Sequence, residues 1–171
     1  LVTTNPIWVG LLSPWLIGER PTSRTWAGIA VAMVGAVIVG FEADTGEHTN
    51  PALGNALALA GGLAASGYLM MSRSVRPSLD FGAYSAATLG GAWVVLALVV
   101  AASGVPLSGY EASAWGLFIA MALGPQLLGH GSLVWALRWV GADVVAVVLL
   151  GEPIGAALLA WYILGEAPTE A

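Results

Sequence analysis

The chain has 171 residues, of which 58% are hydrophobic and 9% are charged, and its formal net charge is −5. Soluble domains contain about 25% charged residues, so this chain cannot cover itself with a water-compatible surface, and lipid is its natural solvent. Because it has no cysteine, disulfides and thiolate chemistry are excluded.

Six continuously apolar segments follow one another along the chain, separated by short polar connections. A helix needs about 20 apolar residues to span a bilayer, and uninterrupted apolar runs favour helices over the alternating strands of a barrel. We therefore predict an all-α membrane protein with six spans, at approximately residues 1–18, 25–41, 52–72, 81–103, 114–137 and 142–165.

Basic and acidic residues occupy alternate connections. All five basic residues are arginines, and they lie in the first, third and fifth connections, as Arg20, Arg24, Arg73, Arg76 and Arg138. The second and fourth connections contain only acidic charges, Glu42, Asp44, Glu47 and Glu111. The positive-inside rule predicts that the arginine-containing connections face the cytoplasm.

One phrase occurs twice in the chain. Residues 11–22 are LLSPWLIGERPT and residues 158–169 are LLAWYILGEAPT, and Pro6 aligns with Pro153 at the same offset. An odd number of predicted spans separates the two copies, so we expect them to be inverted relative to each other in the membrane. Inverted repeats of this kind are typical of secondary transporters.

The repeat also predicts helices that the sequence does not contain. The first residue is Leu1, and a further span follows the first copy but not the second. We expect residues 1–41 to form the C-terminal part of a first repeat and residues 42–171 to form a second repeat that lacks its last helix. The whole would have about ten helices in two equal sets.

These segments resemble the EamA-type branch of the drug/metabolite transporter superfamily. The similarity lies in Pro6 with the first phrase, in Trp26–Gly28, in Glu152 and Pro153 with the second phrase, and in residues 124–138, GPQLLGHGSLVWALR. The resemblance implies an inverted-repeat transporter bundle in the inner membrane of a prokaryote, with this chain supplying about helices four to nine of ten.

The resemblance also implies a function and its partners. Members export or import a small metabolite, such as an amino acid or a drug, through a cavity between the two repeats. The expected partners are therefore this substrate, the lipid bilayer and the remaining helices of the same protein, and a homo-oligomer stays open. We expect no nucleic-acid partner, no cofactor, no catalytic residue and no metal, since no second histidine or cysteine lies at ligand spacing from His130.

Glu152 is the sharpest candidate for a functional residue. It lies roughly 15 Å from one end of its predicted span and 20 Å from the other. A charged carboxylate at that depth costs about 2.5–3.5 kcal/mol, so it needs a partner, a watery cavity or a proton. The functional hypotheses are contact with a substrate amine or proton coupling; the alternative is a neutral, hydrogen-bonded glutamic acid that braces a kink at Pro153. Its counterpart in the first copy is Asn5, which is polar but does not titrate.

A second set of candidates lies in the fifth span. Gln126 precedes His130 by four residues and shares its helix face, and Pro125 predicts a break there, as Pro6 and Pro153 do in their segments. One hypothesis is that both polar residues line the cavity and that His130 titrates near neutral pH. The alternative is a neutral histidine that bridges two helices. For Trp135 the alternatives are contact with a ligand and ordinary packing against neighbouring side chains.

Two other functions remain as alternatives to a transporter. A non-transporting membrane scaffold would need only the small residues along several helix faces, such as Ala58, Gly62 and Ser66. An intramembrane enzyme would use His130 and Glu152, but no HExxH, GxSxG or paired-aspartate pattern supports it.

Overall fold

The computed structural model of the protein describes residues 4–42 and 50–165, and within these ranges the regular structure is helical, with no strand. The helices are α1 (Asn5–Leu16), α2 (Ser23–Glu42), α3 (Pro51–Val75), α4 (Phe81–Ser103), α5 (Ala112–Met121), α6 (Gly131–Ala136), α7 (Ala142–Leu149) and α8 (Glu152–Leu164). A π-helical segment, Ala122–His130, joins α5 to α6. The predicted all-α class is confirmed.

Four helical segments of the described ranges are long and apolar enough to cross a membrane: Pro51–Val75, Phe81–Ser103, Ala112–Ala136 and Ala142–Leu164. They correspond to the last four of the six predicted spans. The first two predicted spans correspond to α1 and α2, which are helical over 12 and 20 residues.

Large apolar side chains point outward from most of these helices. The most apolar window of α4 contains no buried residue, and Trp93 of that helix is 70% exposed. Lipid tails are as apolar as leucine, so such a surface carries no penalty in a bilayer, whereas it would aggregate in water. The exposure pattern therefore agrees with the composition.

The chain forms two compact units. One consists of the described residues of Leu1–Ser74 and Val140–Ala171, and the other is Val75–Trp139. In the first unit, α1 packs against α7 and α2, and α2 packs against α7.

Small residues form the packed faces in the first unit. The buried residues of α1 are Pro6, Val9, Gly10 and Ser13, which recur every three or four positions. Those of α7 follow the same spacing, as Ala142, Val145 and Ala146. Side chains this small allow helix backbones to approach closely, which is how membrane helices gain dispersion contacts.

A buried serine connects α3 to the start of α1. The Ser66 hydroxyl lies 3.0 Å from the carbonyl oxygen of Asn5 and 2.7 Å from that of Gly62, and it donates its single hydrogen to this pair of acceptors. The predicted small-residue face of α3 is therefore a packing face at Gly62 and Ser66, which are both buried.

The second unit is organised around a buried arginine. The Arg76 side chain donates from Nε to the carbonyl oxygen of Val134 at 3.3 Å and from Nη1 to that of Leu79 at 2.6 Å. Its guanidinium also lies 5.6 Å from the ring centroid of Phe81 and 5.8 Å from that of Tyr84. A cation at the carbonyl end of α6 is favoured by the helix dipole, so Arg76 fixes the α3–α4 connection against that end.

Candidate functional site

The two copies of the repeated phrase begin their helices in the same way. Asn5 is the first residue of α1 and Glu152 is the first residue of α8, and a proline follows each. The residues before them, Thr4 and Gly151, have nearly equal backbone angles, with φ of −76° and −77° and ψ of −3° and −12°. Proline is tolerated in a first helical turn because the amide hydrogen it lacks has no partner there.

The two copies also end in the same way. Gly18 follows α1 with φ of +74° and Gly165 follows α8 with φ of +71°. Glycine adopts this left-handed conformation at little cost, and it commonly ends helices. The repeat in the sequence is therefore a repeat of backbone geometry, from the proline at one end to the glycine at the other.

Glu152 lies where the last membrane-length segment is interrupted. Helix α7 ends at Leu149. The Leu150 and Gly151 amides then donate hydrogen bonds to the carbonyls three residues earlier, at 3.1 and 2.9 Å. Pro153 has no amide hydrogen with which to continue the ladder. The Glu152 side chain is exposed, and it sits at the amino end of α8, where the helix dipole favours a negative charge.

The corresponding positions of the first copy are more enclosed. Pro6 is buried and Asn5 is half-buried, and the Asn5 carbonyl accepts from Ser66. The difference between the two copies is therefore one of burial as well as of chemistry. Whether Pro6 interrupts a longer helix concerns residues before Thr4, which lie outside the described ranges.

Pro125 lies in an irregular part of its helix. The helical run extends from Ala112 to Ala136, and Pro125 lies inside the π-helical segment Ala122–His130. At the end of this segment the Gly131 amide donates to the Gln126 carbonyl, five residues earlier. Gln126 is exposed and His130 is half-buried, and π-helical turns are frequently found at functional sites.

Trp135 lies beside a second tryptophan at the end of α6. Its ring centroid is 4.3 Å from that of Trp139, and the planes are inclined by 58°. The Arg138 guanidinium lies 5.7 Å from the Trp139 ring. This group combines aromatic rings with a cation at a helix end, an arrangement typical of a membrane–water interface.

The predicted site residues fall into two groups. Asn5 and Glu152 belong to one compact unit, and Gln126, His130 and Trp135 belong to the other. The two residues that the intramembrane-enzyme alternative would use, His130 and Glu152, therefore belong to different units.

An ion pair between distant connections was not predicted. The Arg73 Nε lies 2.6 Å from the Glu19 Oε1 atom, so the end of α3 is joined to the segment that follows α1. The only sequence signal is that both residues occupy connections assigned to the cytoplasmic side.

The duplicated helices and the membrane-length segments define a multi-pass membrane protein. The chain belongs to the EamA-like transporter family, whose model matches residues 52–171. This is a family of transporters and not of enzymes, so the family match does not support the intramembrane-enzyme alternative either.

One relative is an uncharacterized transporter, YdfC, of Bacillus subtilis (strain 168), which is 24% identical over 169 residues. The match covers 99% of this chain and 55% of the relative, so the chain spans about half the length of that protein. No solved structure matches the chain.

Proposed function

We propose that this protein is a secondary transporter that moves a small metabolite, such as an amino acid or a drug, across the inner membrane of a prokaryote. The arginine-containing connections face the cytoplasm in this proposal. Membership of a transporter family supports the class of protein proposed. The observation that carries the mechanism is the interruption of Ala142–Leu164 at Glu152 and Pro153.

The position of this interruption makes Glu152 the central residue of the proposal. Ala142 and Leu164 lie roughly 15 Å and 18 Å from it along the segment, so the carboxylate is far from both ends. An ionised carboxylate in hydrocarbon is costly, and helix ends exposed by an interruption are where transporters hold polar ligands. Glu152 therefore either binds the amine of the substrate or carries the coupled proton.

The π-helical segment supplies further polar groups. We assign Gln126 and His130 to the substrate cavity because the widened turn places a polar pair in an otherwise apolar helix. Asn5 is the non-titrating counterpart of Glu152 in the other copy. Trp135 is left out of this assignment because it pairs with Trp139 at the end of α6.

The test is transport by the whole protein in proteoliposomes, with a panel of labelled amino acids and a cationic drug. Glu152→Gln keeps the shape of the side chain and removes its charge, and we expect transport to fall by at least about tenfold, the loss equivalent to about 1.4 kcal/mol. Glu111→Gln is the matched control, because Glu111 is an exposed residue that precedes α5. It should transport like the wild type.

Two further readouts separate the roles of Glu152. If the carboxylate binds the substrate amine, the variant has a raised KM in substrate exchange. If it carries the proton, exchange persists while accumulation driven by a pH gradient is lost. Wild-type transport by Glu152→Gln with unchanged pH dependence would overturn the proposal for this residue, and a wild-type protein that transports nothing in the panel would favour the scaffold.

A further inference from the structure

A cleft lies between the C-terminal half of α1 and the beginning of α2. It has a volume of about 590 Å³ and is lined by apolar side chains and a single cation. The apolar walls include Leu11, Pro14, Trp15, Pro21 and Trp26, and the cation is Arg20. None of the residues assigned above to the substrate cavity lines it.

Gly10 fixes one wall of the cleft. A Cβ atom added at Gly10 would lie 3.0 and 3.2 Å from two carbon atoms of the Trp26 ring. The absence of a side chain at Gly10 therefore lets this ring lie directly against the backbone of α1. Trp15 on the same helix is 87% exposed, so the other indole is accessible at the rim.

The charges around the cleft leave Arg20 available for an external anion. The neighbouring carboxylate, Glu19, is engaged with Arg73 at 2.6 Å. Within residues 4–42 and 50–165, Arg20 makes no ion pair, and its side chain is exposed. Arg24 adds a second positive charge in the first turn of α2.

We infer that this cleft binds an acidic phospholipid of the cytoplasmic leaflet, with the phosphate at Arg20 and the upper acyl chain between the tryptophans. A guanidinium is suited to phosphate, and indole rings favour the headgroup level of a membrane. A free phosphate would use Arg20 and leave the apolar walls uncovered. An amphiphile with an anionic head matches both parts of the cleft at once.

The test titrates the whole protein with phosphatidylglycerol and, separately, with phosphatidylcholine of the same acyl chains, and counts bound lipid by native mass spectrometry. Arg20→Gln should weaken phosphatidylglycerol binding about fivefold, the effect of one cation near an anionic leaflet. Arg24→Gln is the matched control, because Arg24 is an exposed arginine four residues further along, in the first turn of α2, and it does not line the cleft. It should bind like the wild type, and inorganic phosphate should not compete.

A second variant tests the apolar wall independently of charge. Trp15→Ala should also weaken phosphatidylglycerol binding, whereas Trp93→Ala, which removes a comparably exposed ring from α4, should not. If the Arg20 and Arg24 variants lost phosphatidylglycerol affinity equally, the lipid would be attracted non-specifically to positive charge, and the inference would be overturned. Equal binding of the two lipids, or displacement of the lipid by phosphate, would overturn it as well.

Discussion

Asn5 and Glu152 begin two copies of one helix, yet only one of them can hold a charge. Both precede a proline and both follow a residue with the same backbone angles. The asparagine is half-buried and its carbonyl is bonded to Ser66, whereas the glutamate is exposed. The duplicated backbone therefore presents a half-buried, neutral residue at one helix end and an exposed carboxylate at the other.

The Glu19–Arg73 ion pair should make a small, salt-dependent contribution to stability. The two side chains are 33% and 22% exposed, and pairs in such surroundings contribute about 0.2–1 kcal/mol. A double-mutant cycle with Glu19→Gln and Arg73→Gln, read out as the free energy of unfolding in bicelles, should give a coupling energy within that range at low salt. The coupling should shrink as salt is added.

The control for this cycle pairs Arg73→Gln with Glu111→Gln. Glu111 is an exposed residue whose carboxylate accepts a hydrogen bond from Ser113, so we expect no coupling to Arg73. A Glu19–Arg73 coupling no larger than this control at low salt would contradict the contact.

At the scale of the residue, the sequence shows where unusual residues lie but not which contacts they make. The position of Glu152 beside Pro153 and far from either end of its segment was visible in the sequence, because proline and charge are conspicuous in an apolar run. The burial of Arg76 was not visible, since its carbonyl partner Val134 is 58 residues away and leaves no periodic pattern. The pair Arg73 and Glu19, 54 residues apart, was hidden for the same reason.

At the scale of the element, three prolines in apolar segments have three different outcomes. Pro14 lies inside α1, which continues through it. Pro125 lies inside the π-helical segment, which continues into α6. Pro153 is the second residue of α8, which begins after an interruption. The sequence locates each perturbation, but the packing around it decides how the strain is relieved.

Replacing Pro153 with alanine should join α7 to α8. The new amide can donate to the Leu149 carbonyl, so the helical ladder can run through residues 150–154. We expect slower hydrogen exchange in this stretch, and we expect transport to fall because the exposed helix end at Glu152 is lost. Hydrogen exchange followed by mass spectrometry in nanodiscs measures the first effect, and the proteoliposome assay measures the second.

Pro14→Ala serves as the matched control, since α1 already continues through Pro14. It should leave exchange in residues 150–154 unchanged. If Pro153→Ala also left it unchanged, the interruption would not depend on the proline, and this explanation of the α7–α8 boundary would be wrong.

At the scale of the whole molecule, composition alone was sufficient for the fold class. A chain with 9% charged residues has too few charges for a soluble surface, and the outward-facing apolar side chains of α4 agree with this. The family match over residues 52–171 agrees as well. Four of the six predicted spans are helical segments long and apolar enough to cross a membrane. The other two predicted spans correspond to the shorter helices α1 and α2.

The central claim is that the two phrases are inverted copies, and cysteine labelling of the whole protein in vesicles tests it directly. These 171 residues contain no cysteine, so an introduced cysteine is the single thiol among them. Thr22 and Thr169 are counterparts at the ends of the two phrases, and Thr169 lies outside the described ranges. With a membrane-impermeant maleimide, Thr22→Cys should react only from the cytoplasmic side and Thr169→Cys only from the opposite side. Labelling of both cysteines from the same side would contradict the inverted duplication.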